Sequence, residues 1–329
     1  MRPLVLAPNQ LRRFYRGGAA IARFRGIPAT DDHAPEDWVG STTTAYGEPE
    51  LGLGRFADGT LVRDALAADP DGFLGAGRSD PGLLVKLLDA GERLPVHCHP
   101  DREFARRHFG SRYGKTEAWV IVEPKGTGVV RVGFATEVDS DTLARWVERQ
   151  DVEAMLAALN EVPVAGGEVV YVPAGVPHAI DAGVFMIELQ EPSDLSVLLE
   201  WPPADGDTWD LGLGPDTALA AVDRSAWPGR RLDELIRRPG ERPRERLLPS
   251  RSAAFFGAER LRPAPKLELE PGFSILVVLD GEGQLEYDEG HLDLARGLTV
   301  LVPHGAGRCR LRGGLDVIRC LPPERSVDG

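Results

Sequence analysis

Two short motifs hold three of the seven histidines in this 329-residue chain. One is His97-Cys98-His99; the other is Pro173-Ala174-Gly175-Val176-Pro177-His178. Between them lies a carboxylate, Glu117, in Gly114-Lys115-Thr116-Glu117. Alternate side chains of an extended strand share a face, so His97 and His99 point one way and Cys98 the other. Three imidazoles and a carboxylate form a shell of three nitrogen donors and one oxygen donor, which suits a divalent metal. The competing reading is that these histidines merely pack near one another. Their concentration in two motifs favours the metal site, with His97, His99, Glu117 and His178 as ligands. Cys98, facing away, is expected to pack rather than to react.

Strands must position these groups, and the chain is rich in strand signals. Residues 83–90 form a short apolar run bounded by Pro81-Gly82 and Gly91, read as a buried strand interrupted by Lys86. A lysine there is costly to bury unless it faces a cavity or an anion, so Lys86 is a candidate site residue beside the alternative of a snorkelling lysine. Residues 117–123, 129–134, 168–173, 185–190 and 195–201 read as further strands. Residues 60–75 have a helical pattern, and residues 101–113 form a polar, Arg-rich connection of a helical turn and a loop. Near 140–160 the period switches to helical, with Asp141 and Asp151 as candidate N-caps, giving a small helical insertion. Residues 1–60 read as short strands and loops in a structural layer without a catalytic pattern. Residues 202–250, rich in Pro, Gly, Asp and Arg, read as a connector with one helix near 232–237.

From residue 253 the β pattern resumes, with Asp280-Gly281-Glu282-Gly283 as a tight hairpin and strands at 273–279, 298–303 and 317–321. Many short strands with regular turns indicate a mostly β jelly-roll or barrel. An internal repeat supports duplication. Gly167, Pro173, Gly175 and His178 recur in register as Gly297, Pro303, Gly305 and Arg308. The second copy has Arg308 at the histidine position and no upstream His-x-His, so its unit is expected to be structural. The expected division is a metal-binding domain over 1–240 and a degenerate β domain over 241–329.

The bulk numbers narrow the partners. A formal charge of −13 opposes nucleic acid or an anionic membrane as partner. No apolar run approaches the length of a membrane span, and the start Met1-Arg2-Pro3-Leu4-Val5 has no signal-peptide core. Three cysteines, at 98, 309 and 320, suit a reducing compartment. A cytoplasmic monomer acting on a small molecule is the expectation.

The Gly-x5-Pro-x-Gly-x2-His spacing resembles the second cupin motif, and His-x-His with a later Glu resembles the first. Leu94 to Asp101, Gly114 to Glu117, Val172 to Ala179 and Glu188 to Asp194 together resemble class I mannose-6-phosphate isomerases, in matching order and spacing. The resemblance implies a duplicated cupin fold and one divalent metal, zinc first, with manganese, iron or nickel compatible. His97 stands where the family has Gln. The resemblance also implies interconversion of mannose 6-phosphate and fructose 6-phosphate by proton transfer through an enediol. Glu188 is then the candidate base, and Lys115 and Lys86 the groups that polarise substrate oxygens or hold the phosphate. Two positions depart from the family: its Ser is Pro95 and its active-site Arg is Leu198. Arg102, Arg106, Arg107 and Arg112 are the candidate replacements. The alternatives are an isomerase or epimerase of another, possibly unphosphorylated, sugar, a sugar-binding cupin without turnover, and a cupin dioxygenase.

Overall fold

The computed structural model describes residues 1–29, 31–126, 128–201 and 209–324. Its first half is a barrel of two antiparallel sheets. The seven-stranded sheet runs, in spatial order, Ile236–Arg237, Val169–Val172, Glu117–Pro124, Val184–Gln190, Leu84–Asp89, Glu36–Val39 and Gln10–Leu11. The five-stranded sheet runs Val197–Leu198, His97–Cys98, His178–Ile180, Gly128–Phe134 and Leu159–Val164. At the centre of the larger sheet, Val184–Gln190 and Leu84–Asp89 are buried along their whole length, which is why they read as near-continuous apolar runs. Their few charged residues must therefore face an interior site.

Register decides which of those residues meet. Glu188 pairs with Lys86 on one side and with Trp119 on the other, and Lys86 pairs with Trp38 of the next strand. Residues opposite one another in an antiparallel pair have Cβ atoms about 4.5–5.5 Å apart. The period of two then adds Glu36, Glu117 and Gln190 to the same face as this row. A one-residue slip would send the whole set to the other face.

The second half is an eight-stranded antiparallel sheet built on two long strands, Ser274–Tyr287 and Cys309–Leu321. Asp280-Gly281-Glu282-Gly283 is not a hairpin turn: the strand runs straight through it, with a register shift between Val278 and Asp280. Its glycines serve close strand contact instead. A Cβ on Gly281, which has φ +85°, would lie 1.7 Å from the Gly314 carbonyl oxygen. The chain reverses later, where Tyr287 pairs with Gly290. The repeat holds at its first glycine, where Gly167 and Gly297 have φ values of 88° and 85° and each leads into a strand, Val169–Val172 or Thr299–Val302. It ends at the turn, where Gly175 has φ +85° and Gly305 lies in the short 3-10 helix His304–Ala306. Arg308 points to solvent and pairs with Glu268 and Glu270.

The N-terminal segment ties the halves together. Leu4–Val5 pairs with Leu301 and Val300 of the second sheet, while Gln10–Leu11 pairs with Asp37 and Glu36 of the first. One continuous apolar core includes Ile187 and Val120 of the barrel together with Phe256, Ile275 and Ile318 of the second unit. Residues 1–60 also contain a helix, Ala19–Arg25, that the sequence pattern did not announce. Its buried face (Ala20, Ile21, Phe24) is short, and Gly18 at its N-cap offers no capping side chain. Asp89 supplies the cap from another strand, accepting hydrogen bonds from the Gly18 and Ala20 amides at 2.9 and 2.7 Å.

Other local differences have similar causes. The insertion helix Ser140–Arg149 is capped by Asp139, whose side chain accepts from the Thr142 amide, rather than by Asp141. Asp151 caps Val152–Ala158 as expected. The polar 101–113 segment carries a full helix, Arg102–Phe109, capped by Asp101. Of residues 195–201, only Val197–Leu198 are strand. In the connector the described helices are Pro215–Leu219 and Gly229–Asp233, and Ile236–Arg237 instead extends the large sheet by pairing with Val170 and Val169. The part of the connector at 202–208 lies outside the described residues. Among the described residues no helix is long and apolar enough to cross a membrane.

Asp89 joins the segment that carries Arg13 to the strand that carries Lys86, so its loss should loosen both. Asp89→Ala leaves two buried amides without acceptors and should lower stability by about 1–3 kcal/mol, with Asp89→Asn less affected. Urea denaturation of the two variants measures this difference.

Candidate active site

The two faces of the barrel bring the motif residues together. His97 and His178 are direct cross-strand partners in the small sheet, and Leu198 pairs with His97 from the other side. His99 lies just past the strand end, its backbone fixed by the Gly175 amide, which donates to the His99 carbonyl at 2.7 Å. Gly175 has φ +85°, a conformation L side chains rarely adopt, and this accounts for glycine in the Pro-Ala-Gly turn. The ligand atoms of His97, His99 and His178 all lie within 4.8 Å of one another. Glu117 reaches the same point from the large sheet, with Oε2 3.1 Å from His99 Nε2 and Oε1 3.3 Å from His178 Nε2.

The hydrogen bonds behind the rings set their tautomers. Nδ1 of His97, His99 and His178 faces the carbonyls of Pro95, Leu195 and Val176 at 2.8, 3.0 and 2.9 Å. A carbonyl only accepts, so each Nδ1 carries the proton and each Nε2 presents a lone pair. Burial holds all three imidazoles below their usual range, His99 to about 3, so they stay neutral. Burial also opposes charging of Glu117, but the Lys115 ammonium outweighs it and holds its carboxyl well below the usual carboxylate range. Lone pairs at 3.1–3.3 Å repel unless a cation lies among them. Glu117 Oε2 and His178 Nε2 are buried without a hydrogen-bond partner. Lys115 Nζ answers part of this need, donating to His99 Nε2 at 2.9 Å and lying 3.3 Å from Glu117 Oε2. Donors about 2.0–2.2 Å from an ion in a tetrahedron are about 3.3 Å apart. The residues present therefore fit a metal ion. Trp119 Nε1 orients the carboxylate by donating to Glu117 Oε1 at 3.0 Å.

A cavity of about 280 Å³ opens beside this cluster, lined among others by His97, Lys115, Glu117, Glu188 and Lys86. Lys86 is only 2 % exposed, and its ammonium lies 3.3 Å from Glu36, 3.6 Å from Glu188 and 4.0 Å from Asp194. Burial disfavours its charge, but these three carboxylates more than compensate and raise its pKa. Glu188 is pushed up to about 7, chiefly by burial, with Glu117 adding to the rise and Lys86 opposing it. Pro95 and Leu198 also line the cavity and offer it no hydrogen-bond donor. Cys98 packs in the opposite core, fully buried, its thiol pushed up to about 12 by that burial.

The guanidinium in the cavity wall is Arg13, from the N-terminal segment, and not one of the loop arginines. Arg102 bonds Glu191 and covers the Phe255 ring, Arg107 pairs with Glu103, Arg112 pairs with Asp80, and Arg106 is exposed. Glu36 is the second unforeseen member: it accepts from Tyr15 Oη at 2.5 Å and Trp38 Nε1 at 2.6 Å, and faces Arg13 and Lys86. The only signals for these residues were the Arg12-Arg13 pair and an acidic residue two before Trp38. Neither has a spacing that implies chemistry.

The fold is that of the cupins, and a histidine set that could hold a metal ion lies in the first barrel, with none of its kind in the second among the described residues. The chain is similar over most of its length to mannose-6-phosphate isomerases. It is 28% identical over 245 residues to mannose-6-phosphate isomerase ManA of Bacillus subtilis (strain 168), covering 72% of this chain and 73% of that protein. The probable mannose-6-phosphate isomerase GmuF of the same organism is 32% identical over 194 residues, 58% of this chain and 59% of the relative. The crystal structure of the Bacillus subtilis mannose 6-phosphate isomerase superposes with a TM-score of 0.80 at 21% identity, covering 97% of this chain and 99% of that one. The apo enzyme of Salmonella typhimurium gives 0.77 at 16% identity, over 98% of this chain and 100% of that one. No protein-family model matches the chain.

If the four groups bind one ion, removing one ligand should empty the site. His178→Ala and Glu117→Ala should each lower bound metal well below one ion per chain, while Cys98→Ala leaves it unchanged. Elemental analysis of the purified variants is the measurement.

Proposed function

We propose that the protein is a metal-dependent aldose–ketose isomerase that interconverts mannose 6-phosphate and fructose 6-phosphate. The observation that carries this reading is the meeting, in one cavity, of the cation-ready histidine cluster with a buried Glu188–Lys86 pair. The relatives named as mannose-6-phosphate isomerases support the same substrate class. We assign His97, His99, Glu117 and His178 as the ligands and zinc as the first candidate ion, because neutral imidazoles and one carboxylate suit it. When bound, the ion supplies Lewis-acid polarisation of a substrate oxygen.

The chain's own residues do the rest. Isomerisation breaks the C2–H bond of the aldose: its electron pair becomes the C1=C2 bond as the C1=O1 pair moves to O1, which takes up a proton to give the enediol. Returning the first proton to C1, with the O2 proton leaving as C2=O2 forms, completes the ketose. Glu188 is the base that receives and returns this proton. A pKa near 7 lets it be ionised to take the proton and basic enough to hold it. Lys86, 3.6 Å away, keeps the carboxylate oriented and stabilises its charge. Lys115, whose ammonium lies against His99 and Glu117 at the edge of the cavity, donates to the substrate oxygens. Ser196, a further polar group in the wall, stands against the His99 ring at 3.2 Å. We place the protein in the cytoplasm as a monomer, in keeping with its three buried free thiols.

The test is direct. Metal-loaded protein should equilibrate the two sugar phosphates, lose activity to a chelator and regain it on adding a divalent ion. Glu188→Gln should lower kcat by about 10²–10⁴-fold while leaving metal content unchanged. Absence of turnover by metal-loaded wild-type protein would end this reading.

A further inference from the structure

The cavity's charged groups form an ordered series leading away from the histidine cluster. Glu117 sits at the cluster, Glu188 and Lys86 come next, and beyond Lys86 lies Arg13. Arg13 shares two carboxylates with Lys86: its Nε is 3.1 Å from Glu36, and its terminal nitrogens reach Asp194 at 3.3–3.4 Å. Among the described residues it is the one arginine in the cavity wall. Leu198, Leu211 and Pro95, which also line the cavity, carry no charge.

Arg13 is held in place, but its donors are not used up. Its bonds to Asp194 are long for a charge-assisted pair, which usually closes to about 2.7–2.9 Å. Its Nε is buried with no aligned hydrogen-bond acceptor, despite its closeness to Glu36. The side chain is 21 % exposed, whereas Lys86 is 3 % exposed. Asp194 has another partner, the Tyr46 amide at 3.1 Å, so it stays hydrogen-bonded if the guanidinium turns away. Glu36 is anchored by Tyr15 and Trp38 and fixes the direction in which Arg13 points.

We infer that Arg13 is a specificity-determining residue: its guanidinium holds the phosphate end of the substrate, delivered from the N-terminal segment instead of from the strand that carries Leu198. The planar fork of a guanidinium matches two phosphate oxygens at once, which an ammonium does not. A substrate whose reacting carbons lie between the histidine cluster and Glu188 extends its other end past Lys86 to Arg13. This inference rests on the phosphorylated-substrate reading above.

The experiment uses the full-length, metal-loaded protein, wild type and with Arg13→Lys or Arg13→Gln, each checked for metal content and melting temperature. Loss of a charged hydrogen-bonding partner should raise KM for mannose 6-phosphate by about 10–100-fold, with kcat changing far less. Inorganic phosphate, used as a competitive inhibitor, should weaken by a similar factor. Arg13→Lys keeps the charge and the ion pairs, so it carries the test if Arg13→Gln does not fold. Folded variants whose KM and phosphate inhibition match wild type would overturn the role of Arg13 while leaving the isomerase reading intact. Wild-type protein that isomerises free mannose and not mannose 6-phosphate would overturn both.

Discussion

The structure turns on a set of electron pairs that cannot rest against one another unaided. Three imidazoles, each with its proton tied up on Nδ1 by a backbone carbonyl, aim Nε2 at one point beside a buried carboxylate. In water these groups would be solvated separately; in the barrel, burial keeps the rings neutral and neighbouring positive charge keeps Glu117 ionised. A divalent ion would reconcile the four, and Lys115 meets part of the need through His99 and Glu117. The Pro-Ala-Gly turn, the Trp119 hydrogen bond and the cross-strand pairing of His97 with His178 all serve this convergence.

The same barrel wall explains the substrate side. Because Glu188, Lys86, Trp38 and Trp119 form one row across the large sheet, the proposed base and its counter-ion are fixed by backbone hydrogen bonds rather than by loops. The N-terminal segment adds a second layer, bringing Arg13 and Tyr15 against Glu36 of that same sheet. Asp89 and the strand pairing of Gln10–Leu11 pin this segment down. Binding groups thus come from two distant stretches of chain, one rigid by register and one by capping.

Much of this was legible in the sequence, for reasons that can be named. The histidine cluster was readable because strand periodicity puts alternate residues on one face and because Gly175 marks a backbone turn. Lys86 stood out because an ammonium inside an apolar run needs a partner, and the structure gives it three. The duplicated core showed in the glycine spacing, which reflects a shared positive φ at Gly167 and Gly297. Arg13 and Glu36 were not legible. They reach Asp194 and Lys86 through long-range packing, and an arginine-rich segment reads locally as solvated surface. The Asp280-Gly281-Glu282-Gly283 reading failed because glycine serves close strand contact as well as turns, and only the pairing distinguishes them.

The central claim is that proton transfer at the Glu188 wall depends on a single ion held by the histidine cluster. Proton NMR of mannose 6-phosphate in deuterated buffer, with chelator-stripped protein titrated by a divalent metal, tests it most directly. The account predicts that isomerisation and deuterium uptake at the exchanging carbon rise together and saturate at one ion per chain. Full exchange by the stripped protein, or no exchange at saturating metal, would contradict it.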